Sequence, residues 1–175
     1  MITNINDVRS GRDLEEYVFL RSNSLAQHQR NLASKILNFR EAYEAAKKDQ
    51  GPDWDPLNPP TEPAKRIVEA VKTEIRLIKR ELHPVVPIYR LIGKISDSMH
   101  KTDGSIEYGR RRVFIDVSMR RKTVAPDIYL VTHWDIMGGE LEEIAVKIAH
   151  DILNQEKRSM LAGFAWDMNS EDATL

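Results

Sequence analysis

The stretch Arg112-Val113-Phe114-Ile115-Asp116-Val117-Ser118-Met119 alternates apolar and polar side chains. Such alternation is typical of a β-strand with one buried face, because successive side chains of a strand point to opposite sides. The run Asp127-Ile128-Tyr129-Leu130-Val131-Thr132-His133-Trp134 has a similar β-rich character. Matching the apolar faces predicts an antiparallel hairpin in which Val117 lies opposite Tyr129 and Ile115 opposite Val131.

Residues 87–97 fit two patterns. Helical spacing is shown by four apolar residues, Ile88, Leu91, Ile92 and Ile95, whereas Gly93 and the isoleucine content favour a strand. We predict a strand, which turns at residues 102–105 into a further strand over Ile106-Glu107-Tyr108. The predicted sheet is therefore small, antiparallel and three-stranded.

The N-terminal part predicts a long helix. From Asp13 to Lys48 there is no proline or glycine, and an apolar residue recurs every seven positions: Val18, Leu25, Leu32, Phe39 and Ala46. This spacing keeps one stripe on one side of a helix. Because residues 22–24 read Ser-Asn-Ser, a short first helix followed by a second helix from about Ser24 is an alternative.

A second helix is predicted from Thr61 to Leu82. Thr61 can cap it, and Pro63 lies in the first turn, where a missing N–H costs nothing. The proline-rich loop 51–60 then joins two antiparallel helices. The predicted apolar stripe of this helix consists of Ala64, Val68, Val71, Ile75, Ile78 and Leu82.

The last element is predicted to be a helix entered at Gly138-Gly139. Its apolar face consists of Leu141, Ile144, Ala145, Ile148, Ala149 and Ile152. Helices before and after a sheet indicate a single α+β domain over residues 1–175. It comprises an N-terminal helical hairpin (13–82), the sheet with the C-terminal helix (85–162) and an acidic tail (163–175).

Composition narrows the functional classes. The 175 residues include no cysteine, which excludes disulfide scaffolds, thiolate metal sites and cysteine nucleophiles. The net charge of −1 argues against a polybasic molecule. No apolar run is long enough to cross a membrane, and the first residues lack the pattern of a signal peptide. We therefore expect a cytoplasmic protein, or one incorporated in a particle assembled in the cytoplasm, without membrane association.

The two N-terminal helices differ in length, which suggests a binding surface. The first would be roughly 50 Å long and the second roughly 30 Å. About 20 Å of the first helix, from Leu14 through Val18 to Leu25, would then lack a partner in the hairpin. This stripe either packs on the sheet or binds another protein, and we identify Leu14, Val18 and Leu25 as candidate partner-binding residues.

The strongest local charge lies in residues 110–122, which carry six basic residues and one acid, a net +5. A basic β-ribbon of this kind is an alternative, nucleic-acid-binding surface. The same charges also suit a solvated strand edge, or pairing with residues 139–175, whose net charge is −5. The candidate contacts to nucleic acid are Arg110, Arg111, Arg112, Phe114, Arg120, Arg121 and Lys122.

Catalytic chemistry has little support in the sequence. Asp116, His133 and Asp135 could form a metal or acid–base set, but the predicted register places Asp116 and His133 on opposite faces of the sheet. We predict no catalytic residues, cofactor or metal. The expected function is non-enzymatic binding or assembly, as an oligomeric subunit, an adaptor or a structural protein of a larger bacterial or phage assembly. Nucleic-acid association is the alternative, and a metal-dependent hydrolase is the least supported.

Overall fold

A computed structural model describes residues 2–20, 39–91, 102–124 and 128–170, with the backbone alone for 39–42 and 156–170. The helices in these ranges are α1 (Gly11–Phe19), α2 (Phe39–Lys48), α3 (Glu62–Lys79), α4 (His133–Gly138) and α5 (Leu141–Ser170), preceded by a 3₁₀ turn (Ile5–Asp7). The strands are β1 (Ile88–Arg90), β2 (Gly104–Tyr108), β3 (Arg111–Ser118) and β4 (Ile128–Thr132). The architecture confirms the predicted α+β class.

The N-terminal helix is shorter than predicted. A continuous helix over 13–48 is wrong, because α1 ends at Phe19 and Leu20 adopts a left-handed conformation with φ 50°. The carbonyl oxygen of Leu20 accepts a hydrogen bond from Arg90 Nη1 at 2.7 Å. A heptad pattern cannot reveal such a distant partner. The alternative helix start near Ser24 lies outside the described residues.

Helix α3 begins as predicted and ends early. Thr61 occupies the N-cap position and Pro63 lies in the first turn. The Thr61 hydroxyl does not cap α3 but donates to the carbonyl of Val18, which ties the start of α3 to α1. The helix ends at Lys79, before the predicted end at Leu82. Its buried residues are Pro63, Ala64, Ile67, Val68, Val71 and Ile75.

The sheet has four strands in the order β1-β2-β3-β4, and its last pair is parallel. The predicted antiparallel hairpin of β3 and β4 is therefore wrong, and so is its register: Val117 lies opposite Val131, and Ile115 opposite Tyr129. Alternation identifies which side chains share a face, but the same faces match in either strand direction. Strand direction is consequently the part of the prediction that failed.

The remaining strands are antiparallel, as predicted. β1 confirms strand structure at 88–90, but the strand ends before Leu91, and residues 92–97 of the predicted strand lie outside the described residues. The predicted turn at 102–105 is misplaced, because Gly104 and Ser105 already belong to β2. The hairpin turn between β2 and β3 is Gly109–Arg110, with φ 62° at Gly109.

The two faces of the sheet have different cover. One face joins α1, α3 and α5 in the main core through Ile88, Ile106, Val113, Ile115, Val117 and Val131. The other face lies against α2. There the buried Tyr43 hydroxyl lies 2.8 Å from Ser105 Oγ and donates to Glu107 Oε1 at 2.7 Å. The Tyr43 ring also meets Phe114 edge-on, with 6.0 Å between ring centroids.

A capping box begins α4 where the sequence predicts the end of a strand. The Thr132 hydroxyl accepts from the backbone N–H of Asp135, and the Asp135 carboxylate accepts from the N–H of Thr132. These reciprocal bonds end β4 two residues before the predicted Trp134. Gly139, with φ 81°, ends α4 at the turn that leads into α5. α5 continues past the predicted boundary at residue 162.

A fully buried arginine holds the proline-rich loop against the sheet. Arg90 pairs with Asp53 at 3.0 Å and donates to the carbonyl of Gln50. Its guanidinium lies 5.1 Å from the centroid of the Trp54 ring, and the Trp54 indole N–H donates to the carbonyl of Ile88. Burial lowers the pKa of Arg90, and Asp53 opposes that shift. An ion in the core thus fixes the path of residues 50–54.

Candidate functional site

The stripe predicted for partner binding is covered by its own chain where it is described. Leu14 and Val18 have no exposed surface and belong to the main core, next to Phe19. α1 packs against α3 and β3. The expectation that this part of the stripe lacks cover is thus corrected, since the sheet provides the cover that the hairpin does not. Leu25 lies outside the described residues.

The first basic cluster of the predicted ribbon is partly used inside the protein. Arg111 lies over the ring of Tyr108 at 5.9 Å, and Arg112 over the ring of Tyr43 at 4.4 Å. Adjacent strand residues point to opposite faces, so these two arginines do not form one surface. Phe114 packs on Tyr43, which removes its predicted role as an exposed stacking residue. Arg110 is exposed in the hairpin turn.

The second basic cluster lies at the other end of β3, roughly 25 Å away by the rise of a strand. Lys122 Nζ is 2.6 Å from an oxygen of the buried Asp116 carboxylate. Arg121 lies 3.9 Å from Asp135 and 3.8 Å from Glu140. Arg120 is exposed. The structure therefore separates the two basic clusters. In the second cluster, acids lie beside two of the three cations, Arg121 and Lys122.

These ion pairs line a polar cleft of about 320 Å³ beside β4 and the start of α5. Arg121, Lys122 and Lys147 face Asp135, Glu140 and Glu143 across it, with Leu130, Thr132 and Ile144 completing the lining. Three cations and three acids line the cleft, so their charges largely compensate each other. A charged ligand would have to break existing pairs to enter, which makes the cleft a poor candidate for anion or cation binding.

Asp116, His133 and Asp135 do not form the metal or acid–base set considered above. Asp116 is paired with Lys122, Asp135 belongs to the capping box, and the His133 ring packs edge-on against Trp134 at 5.6 Å. Within the ranges that the structure describes, no group of three or more histidines and acids is placed to hold a metal ion.

Sequence reasoning missed a partly buried carboxyl group, Asp103. One of its oxygens accepts from the backbone N–H of Val117 at 2.7 Å. Burial, together with the nearby carboxylates of Glu15 and Asp116, raises the pKa of Asp103 to about 8. The raised pKa favours the protonated form of this carboxyl group in the folded protein. No pattern in the sequence could reveal this, because Glu15, Asp103 and Asp116 come from three separate segments.

Helices α3 and α5 lie side by side and run parallel. Arg66 forms two hydrogen bonds to Glu142, at 2.9 and 2.8 Å, and Glu74 contacts His150 at 3.0 Å. In both pairs the two residues are 76 positions apart in sequence, so the two helices run in the same direction with a constant register. By the same offset, the end of α3 at Lys79 is level with Gln155 of α5. Part of the predicted acidic surface is thus paired within the chain.

Exposed apolar side chains concentrate at the C-terminal end of α3. Among the described residues eight large apolar side chains are exposed, and five of them belong to α3, the loop after it or the proline-rich loop. We call these five residues the α3-end surface: Leu57 (51% exposed), Leu77 (71%), Ile78 (46%), Leu82 (79%) and Val85 (62%). Such concentration marks an interaction site, whereas scattered apolar residues need no explanation.

Two residues of the α3-end surface, Leu57 and Val85, belong to a groove with a basic rim. Leu57, Val85 and Val86 line a groove of about 310 Å³ together with Pro84, Lys72, Arg76 and His83. Arg76 Nε donates to the carbonyl of Leu82 at 3.2 Å, which places that exposed leucine beside the rim. The sequence contains a signal for this site, since Ile78 and Leu82 continue an apolar stripe beyond the point where the core ends.

No family model, curated protein or solved structure matches the chain. In the described part of the chain, no helix has the length and apolar character needed to cross a membrane.

Proposed function

We propose that this chain is a non-enzymatic binding and assembly protein that acts through the α3-end surface. The observation that carries the proposal is the concentration of five exposed apolar side chains at one end of the domain. Leaving Leu77 and Leu82 in water forgoes about 1.5–3 kcal/mol for each side chain relative to full burial. A partner that covers them recovers this free energy, and the most natural setting is the cytoplasm or a particle assembled there.

Site-specific photo-crosslinking tests the proposal. A photoreactive amino acid at position 82 is expected to give adducts of higher mass in cells that produce the full chain. The same amino acid at Met137 is the matched control, because Met137 is also half-exposed (49%) but lies on α4. The adduct at position 82 should disappear when Leu77→Asp is introduced into the same chain. Absence of any adduct at position 82, or equal adducts at 137, would refute the proposal.

Nucleic-acid binding, the alternative predicted from the sequence, has less support. Arg110 and Arg120 remain exposed, but they lie at opposite ends of β3. A titration with labelled DNA or RNA tests this alternative. Affinity that falls steeply with salt and is lost when Arg110 and Arg120 become alanine would favour it over protein binding.

A further inference from the structure

We infer that strand β4 pairs edge to edge with β4 of a second copy, antiparallel, about a two-fold axis at Tyr129. This contact uses a different surface from the α3-end surface and does not depend on the function proposed above. The direction of the peptide groups of β4, its open edge and the charges on α5 all support it.

β4 is the last strand of the described sheet, and its outer edge opens into the polar cleft. Leu130 lies opposite Asp116, on the face of the sheet that is turned away from α5. Ile144 and Lys147 of α5 line the same cleft. A cleft that is lined from both faces of a sheet runs along its edge. α4 turns away from this edge, because it packs against the 3₁₀ turn that leads into α1.

The backbone of β3 shows which peptide groups face β4. The carbonyl of Ile115 accepts from the N–H of Asp103, and the N–H of Val117 donates to the Asp103 carboxylate. The odd-numbered residues of β3 therefore turn their peptide groups toward β2. Because these groups alternate in direction along a strand, the even-numbered residues turn theirs toward β4.

The peptide groups of Ile128 and Leu130 consequently point out of the sheet. Asp116 lies opposite Leu130, so in this parallel pair Asp116 bonds to the two residues that flank Leu130. Ile128, Leu130 and Thr132 then face outward, and the Thr132 N–H already donates to the Asp135 carboxylate. Among the described residues, no group bonds to the outward N–H and C=O of Ile128 and Leu130.

Two copies satisfy these groups in one register. In an antiparallel pair, a residue can exchange two hydrogen bonds with the residue opposite it. With Ile128 opposite Leu130 of the second copy, two symmetric pairs form about four hydrogen bonds, and Tyr129 lies opposite its own counterpart. Residues 128–132 contain no charged residue or proline, the features that protect an edge strand from pairing.

Helix α5 presents complementary charges at the same axis. The Tyr129 hydroxyl donates to the Lys147 carbonyl at 3.2 Å and to the Asp151 carboxylate, so the axis passes α5 between these two exposed residues. The two α5 helices then run antiparallel, with Lys147 opposite Asp151 of the second copy. Since paired strands lie about 4.8 Å apart and α5 packs on both β3 and β4, the two helices lie roughly 10 Å apart, the distance of packed helices.

The other described charges around the cleft do not oppose this contact. Arg121 and Lys122 lie beside acids of their own copy. Glu143 precedes Lys147 by about one turn and, by the same axis, lies opposite the uncharged Gln155. The contact therefore brings opposite charges together without placing like charges face to face.

Analytical ultracentrifugation of the full chain from about 1 to 500 µM tests the inference. We expect a dimer that dissociates in the micromolar range, because one strand pair and one helix pair form a small interface. Lys147→Asp and Asp151→Lys should each weaken the dimer at least tenfold, and the two together in one chain should restore it. Lys65→Asp, at an exposed lysine of α3, is the matched control and should leave the dimer intact. Circular dichroism and thermal unfolding verify the fold of each variant.

Disulfide trapping tests the register, since the chain has no cysteine of its own. Tyr129→Cys places two thiols opposite each other, with Cα atoms about 4.5 Å apart, which a disulfide can span. Leu130→Cys is the matched control, because its counterpart lies on the diagonal, about 7–8 Å away. Mild oxidation should link the first variant much faster than the second. A chain that is monomeric throughout, a dimer insensitive to the charge exchange, or equal trapping at both positions would overturn the inference.

Discussion

The partly buried Asp103 carboxyl predicts an unusual dependence of stability on pH. Its pKa is about 8 in the folded protein against an ordinary value of 3.8, so the folded state binds more protons between these two pH values. Under the linkage relation, stability then falls as pH rises from about 4 to 8, because folding above pH 8 leaves a charge in the interior. Asp103→Asn removes this charge and keeps an oxygen for the N–H of Val117.

The magnitude follows from the difference in pKa. A pKa difference of about four, at about 1.4 kcal/mol for each step of one, sets an upper limit of about 6 kcal/mol on the contribution of Asp103 to the free energy of unfolding. Relaxation and water penetration reduce such energies, and we expect the Asn variant to be about 2–3 kcal/mol more stable than the wild type at pH 9 and nearly equal at pH 4.

Urea unfolding at unit intervals from pH 4 to 9 measures this difference. The free energy of unfolding should decline with pH in the wild type more steeply than in Asp103→Asn. Asp7→Asn, at an exposed carboxylate in the 3₁₀ turn, is the matched control and should follow the wild type. Parallel curves for the wild type and Asp103→Asn would refute the assignment of a proton to this group.

Three further substitutions test packing and backbone geometry, each measured by chemical unfolding. Arg90→Ala should lower the free energy of unfolding by about 3–5 kcal/mol, because it removes one member of a buried ion pair. Asp53→Asn should lower it much less, because the Asp53 side chain is partly exposed. Similar losses for the two variants would contradict this prediction. Gly104→Ala should lower the free energy of unfolding by about 1–3 kcal/mol, since the new Cβ would lie 2.4 Å from the Phe19 ring. Phe19→Leu in the same chain should recover part of this loss. If the losses of the two single variants simply add in the double variant, the clash is not the cause. Arg80→Gly should raise the free energy of unfolding by about 0.5–1 kcal/mol, because Arg80 ends α3 with φ 57°, a conformation that glycine adopts without strain. A loss of stability would show that contacts of the Arg80 side chain outweigh this backbone effect.

Local patterns predicted the type of most described elements but not their orientation. The alternation around Ile115, the proline in the first turn of α3 and the apolar face of α5 were sufficient to locate strand and helices. The predicted direction of β4 was wrong because the apolar faces of β3 and β4 match equally well in a parallel and in an antiparallel pair. The predicted length of the first helix was wrong because the end of α1 is held by Arg90, which donates to the carbonyl of Leu20 from seventy residues away.

The candidate site was harder to predict than the fold. Burial of Leu14 and Val18 depends on how the sheet meets α1, which no helical pattern describes. Conversely, Ile78 and Leu82 belong to the predicted apolar stripe because their spacing continues that of Ile75, but Ile78 is 46% exposed and Leu82, which follows the end of the helix, is 79% exposed. Periodicity indicates which residues share a side of a helix, but only the tertiary arrangement decides where cover stops.

The buried Arg90 has a consequence for local opening of the native state. Its acceptors come from Leu20, Gln50 and Asp53, three points that are distant in sequence from the strand that carries it. None of these segments can detach without stranding an ion in an apolar interior. The end of α1, the loop and β1 should therefore open as one cooperative unit, with matching rates of amide hydrogen exchange, instead of fraying independently.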